Sequence, residues 1–111
     1  MKLTGKTLIA FEKWYFKKYC NGNMKYEDLM PYHKEDVFGW LYRQNNTIIY
    51  AVYVDFFDSY EIFINVINNI DNTIYCRILL IDEAFYGKDR NDALEKALIK
   101  ADEIFKTKYG N

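Results

Sequence analysis

Punctuation is scarce in this chain. One proline and five glycines in 111 residues exclude long flexible linkers and proline-rich segments, so a single domain spanning residues 1–111 is expected. One histidine, His33, and two cysteines fall short of a closed zinc site, and no metal is expected. Net charge is only −1, which gives no global field toward nucleic acid or a membrane. No apolar run approaches the roughly 18 residues that a membrane span needs. The opening residues, MKLTGKTLIAFEKW, lack the apolar core and small-residue cleavage site of a secretory leader. The expected location is therefore the cytoplasm. There Cys20 and Cys76 would be small buried thiols, with their pairing left open. Phosphate-binding loops, dinucleotide fingerprints and nucleophile elbows are missing as well. No cofactor and no catalytic residue is expected, and an enzyme here would have to act without a sequence signature.

What the chain has in abundance is aromatic side chains: 19% of the residues, including 11 Tyr and 8 Phe. Half of all residues are hydrophobic, enough for an ordinary core without staples. Charge is unevenly spread. Residues 1–25 hold six lysines against Glu12, and residues 26–87 hold ten acids against Lys34, Arg43 and Arg77. Such segregation is compatible with solvated faces or with a basic first helix that orients a partner.

Hydrophobic periodicity predicts a first helix over about Gly5–Cys20, with Leu8, Phe11, Tyr15 and Tyr19 on one stripe and Trp14 widening it. Only Ala10, Lys13 and Lys17 clearly face away. Asn21-Gly22-Asn23 is the expected stop. Met24–Pro31 is a connector, and Pro31 opens a short second helix over about His33–Gln44. Three strands are predicted next: Thr47–Phe57, Tyr60–Ile67 and Thr73–Ile81, separated by Asp58-Ser59 and by Asn68–Asn72. A loop, Asp82–Lys88, leads to a last helix capped by Asp89, with Leu94, Ala97, Leu98, Ala101, Ile104 and Phe105 inward. Lys96, Lys100 and Lys106 with Glu95, Asp102 and Glu103 form its exposed side. The expected fold class is α+β: a two-layer sandwich, order α-(α)-β-β-β-α. Its sheet is a three-stranded antiparallel meander with the N- and C-terminal helices on one face.

The other sheet face carries the odd-numbered residues Tyr53 and Asp55, Phe63, Asn65 and Ile67, then Tyr75, Arg77, Leu79 and Ile81. A solvent face should be mostly polar. Either the second helix covers this one, or it binds a protein, or its rings stack nucleobases with Arg77 on phosphate. Tyr53, Asp55, Phe63, Tyr75, Arg77, Trp14 and Trp40 are the candidate binding residues. Glu12 falls inside the apolar arc of the first helix and needs donors, for which a Tyr hydroxyl is the natural choice. Asp55, Asp58 and Glu61 cluster without a cation-loop spacing and are assigned to turn and strand-end roles.

Three segments, MKLTGKTLIAFEKWY (1–15), YVDFFDS (53–59) and ALEKALIKADEIF (93–105), resemble a group of small phage and prophage proteins. That resemblance implies a mobile-element origin rather than a mechanism. The element order is also similar to the double-stranded-RNA-binding fold. That family's lysine cluster at the last helix is offset here by acids in Gly87-Lys88-Asp89-Arg90-Asn91-Asp92. The expected function is a small phage-type binding protein, in its concrete form an anti-CRISPR-like inhibitor that occludes a host RNA-guided nuclease or its guide RNA. The alternatives are an RNA-binding module and a small enzyme. A protein partner is expected first, RNA second, with self-association open and no membrane.

Overall fold

The computed structural model describes residues 1–20, 25–29 and 31–110. The proposed Asn21-Gly22-Asn23 stop lies outside them. The elements are α1 (Gly5–Tyr19), a 3₁₀ turn (Tyr26–Asp28), α2 (Pro31–Tyr42), α3 (Asn46–Ser59), β1 (Ile64–Asn68), β2 (Ile74–Ile78), β3 (Glu83–Tyr86) and α4 (Arg90–Tyr109). The sheet is an antiparallel meander of order β1-β2-β3. The class is α+β, as expected, and α4 lies against the sheet while α1 packs on α3 and α4.

The expected strand Thr47–Phe57 is a helix. Its residues are apolar at nearly every position, so alternation at period 2 and a stripe at period 3.6 coexist. The helical stripe wins because it buries more. Ile49, Tyr50, Tyr53, Phe56 and Phe57 all go inward, and the rings of Tyr53 and Phe56 meet Phe11 of α1 edge-on at 5.0 and 5.5 Å. Asn45 starts the helix by accepting the Ile48 amide at 3.2 Å. The helix ends in a Schellman motif. Glu61 stands at φ 62°, its amide donates to the Asp58 carbonyl and the Ile62 amide to the Phe57 carbonyl, each at 3.0 Å. The supposed Asp58-Ser59 turn is thus the last turn of α3.

The remaining strands are shorter than expected. The second begins at Ile64, and the third stops at Ile78. Register pairs Ile64 with Ile78 and Val66 with Cys76, then Cys76 with Phe85. These residues form the inner face. α4 covers that face, and its Ala93, Leu94, Ala97, Leu98, Ala101 and Phe105 are all buried, Phe105 against Phe56 and Tyr60; alanines at this spacing let the helix come close. Asp89 accepts the Asp92 amide at 2.8 Å, as a helix cap should. Gly87 links β3 to α4 so tightly that a Cβ there would collide with the Ala93 backbone amide. Asp102 is a correction to the expected exposed side. It is buried, takes the Thr4 hydroxyl at 3.1 Å and pairs with Lys106 at 3.4 Å. It thereby ties the start of α1 to α4.

A left-handed conformation at a non-glycine residue costs about 1–2 kcal/mol. Glu61→Gly should therefore raise stability by about 0.5–1 kcal/mol in thermal denaturation, after the larger entropy of unfolded glycine is deducted. An extended strand at this position would give the opposite sign, a loss of similar size.

Candidate functional site

The uncovered side of the sheet follows from the register. Across it, Ile67 faces Tyr75 and Tyr75 faces Tyr86, while Asn65 faces Arg77 and Arg77 faces Ala84. Tyr75 and Tyr86 stack at 5.1 Å with their planes 29° apart. Past the paired residues, the Leu79 amide donates to the Phe63 carbonyl at 3.1 Å, which brings Phe63 and Leu79 onto the same side. α2 does not cover this face: Phe63, Leu79 and Tyr86 keep 41%, 51% and 57% of their surface exposed. Leu80 and Ile81, in the tight connection from β2 to β3, are exposed as well, but they stand beside Lys100, Ile104 and Thr107 of α4 and not on this face. Two apolar groups, Phe63 with Leu79 and Tyr75 with Tyr86, thus flank a central row of Asn65, Arg77 and Ala84, and apolar groups exposed around a polar centre are a feature of interaction surfaces.

The seven predicted residues do not converge. Phe63, Tyr75 and Arg77 share the outer face. Tyr53 does not; it lies in α3 and is fully buried, because helical spacing turns it toward Phe11. Asp55 is exposed on α3, beside Arg90 and β1 in a shallow cleft of about 460 Å³. Trp14 lines a groove between α1 and α4. Trp40 projects from α2 with 56% of its surface exposed. Tyr86 was not anticipated, because residues 82–88 read as a loop. The run Ala84-Phe85-Tyr86, one residue in and one out, was the signal for a third strand.

Arg77, the one cation on this face among the described residues, donates to the carboxylate of Asp82 in a solvent-exposed pair. Among the described residues, no group of three or more His, Cys, Asp or Glu side chains stands together to hold a metal ion. Both cysteines are unpaired, and burial pushes each thiol up from its ordinary value. That direction disfavours the reactive thiolate.

Glu12 found the partners its position demanded. Tyr26 donates to one carboxylate oxygen and Tyr42 to the other, each at 3.0 Å. Lys34 donates to the Tyr26 hydroxyl at 3.4 Å. The carboxylate thus clamps the 3₁₀ turn and α2 onto α1. Burial, with Glu12 adjoining, pushes Tyr26 up to about 12 and Tyr42 higher still. Burial likewise raises Tyr50 and Tyr53 to about 12.

No protein-family model, curated protein or solved structure matches the chain. Among the described residues, no helix is long and apolar enough to cross a membrane. The surfaces themselves therefore carry the functional assignment.

A tyrosine whose pKa is higher in the folded state than the ordinary 10.0 holds its proton more tightly there. Its contribution to stability is fully present below pH 10 and is lost as pH rises through about 12. Helical circular dichroism should accordingly stay level from neutral pH to about 10 and fall cooperatively above it, together with the rise of tyrosinate absorbance. Full tyrosine ionisation near pH 10 with the helices intact would contradict the buried hydroxyl network.

Proposed function

We propose that this chain works by binding another protein through the outer face of its sheet, without catalysis. The single observation that carries this reading is the exposure of Phe63 and Leu79 at one end of that face and of Tyr86, stacked on half-buried Tyr75, at the other. Aromatic anchors that shed water on contact supply most of the energy at such interfaces. RNA is the weaker reading for this face. Among the described residues it offers a single cation, Arg77, in an exposed and exchangeable pair with Asp82, and one such charge is little for a phosphate backbone. Tyr75 and Tyr86 also spend one ring face on each other.

The concrete form of the proposal draws on the resemblance to small phage and prophage proteins. In that form the chain is a counter-defence inhibitor that seats this face on a host RNA-guided nuclease and blocks it sterically. The mode asks only for a rigid small body and a sticky face.

The test pairs affinity capture from bacterial lysate with Phe63→Ser/Tyr86→Ser, two exposed positions whose change should alter stability by only about 0.5 kcal/mol each. The native chain should retain a protein partner after nuclease treatment, and the double variant should retain at least about tenfold less. A partner lost on nuclease treatment would favour RNA. Equal capture by both chains would remove the outer face from the account, and so would a homodimer formed through it in sedimentation.

A further inference from the structure

A second surface lies on the helical side of the molecule. It is an open groove of about 770 Å³ between α1 and α4, lined also by Ser59 and Tyr60. Its floor is apolar, made by Trp14, Tyr60 and Phe105, with Tyr109 at the edge. Lys6, Lys13 and Lys17 line the α1 side, and no carboxylate is among the lining residues described. Their spacing of seven and four residues roots the three lysines on one straight stripe of the helix, about 16 Å long. Three cations over that length are more than a small anion can meet, and they match about three turns of a facing helix.

We propose that this groove binds an acidic amphipathic helix of a protein partner, its apolar residues on the aromatic floor and its carboxylates along the lysine stripe. Concavity between two helices suits a rod. A flat anionic bilayer would reach the lysines but not the floor. The rings are set for side chains rather than for bases. Tyr60 meets Phe105 and Tyr109 edge-on, at 82° and 71°, and Lys18 covers one face of Trp14 at 5.0 Å. Open ring faces, which stacked nucleobases require, are thus partly taken. One rim cation, Lys13, already pairs with Glu27 at 3.3 Å. Both partners are largely exposed, so the pair is weak and exchangeable. This surface is separate from the outer sheet face, and the proposal stands or falls independently of it.

The reporter is Trp14 in a Trp40→Phe chain, where it becomes the only tryptophan. The probe is a synthetic helix of about 16 residues with Leu and Phe at i, i+4, i+7 and i+11 and Glu on the flanks. It should change the Trp14 emission saturably, and its Glu→Gln counterpart should bind about tenfold more weakly. Lys13→Glu/Lys17→Glu should cost the acidic peptide a similar factor, whereas Phe63→Ser/Tyr86→Ser should leave it unchanged. Affinity should also fall as salt rises from about 50 to 300 mM. Equal binding of the Glu and Gln peptides, or no response to either, would overturn the proposal. A response to an oligothymidylate or to phosphatidylserine vesicles without one to the acidic peptide would assign the groove to nucleic acid or membrane instead.

Discussion

The structure turns on one phenylalanine. The ring of Phe56 lies 5.5 Å from Phe11, 5.7 Å from Trp14, 5.2 Å from Tyr60 and 5.6 Å from Phe105, and it is fully buried. It is the point at which α1, α3 and α4 meet. Burying such a ring contributes about 2–3 kcal/mol by area alone, and the edge-on contacts add to that. The cluster forms only if residues 46–59 coil, because helical spacing is what brings Tyr53, Phe56 and Phe57 to one side. Once they coil, the sheet loses the strand they would have supplied. It is built from the three short segments that follow, and α4 covers their inner face.

Among the described residues, no helix covers the opposite face. The same packing that satisfies the aromatic core leaves Phe63, Tyr75 and Tyr86 outside it. Tyrosine therefore does three jobs in one small chain. In the core it contributes rings, as Tyr53 does. At Glu12 it contributes hydroxyls, and two of them let a carboxylate sit among apolar residues. On the sheet it contributes the stacked rings of Tyr75 and Tyr86 on the outer face. The surplus of aromatics thus divides between holding the fold and forming surfaces.

Much of this was legible from the residues alone. Asp89 announced α4, and Leu94, Ala97, Leu98 and Phe105 marked its buried stripe. The parity of Phe63, Asn65, Ile67, Tyr75 and Arg77 was also right, since period 2 holds wherever a strand exists at all. Glu12 needed donors, and tyrosines supplied them. The failure at 47–57 has a physical cause: β-branched and aromatic residues favour strands on average, and tertiary contacts overrode that preference. Weaker cues pointed the other way. Asn45 is a good cap, and Ala51, Asp55 and Asp58 fall on one exposed side at helical spacing. Tyr53 left the candidate site for this reason alone. The groove was only half visible. Ala10, Lys13 and Lys17 were seen to face away from the core, but the floor needs Tyr60 and Phe105, which only the fold brings beside them.

Both surfaces depend on residues 46–59 being helical. The most direct measurement is the set of backbone Cα chemical shifts of that segment in solution, with contacts between the Phe11 and Tyr53 rings read from the same sample. The account predicts shifts displaced in the helical direction from Asn46 to Ser59 and ring contacts between α1 and α3. Shifts displaced in the strand direction, with residue 53 pairing across a sheet, would contradict it.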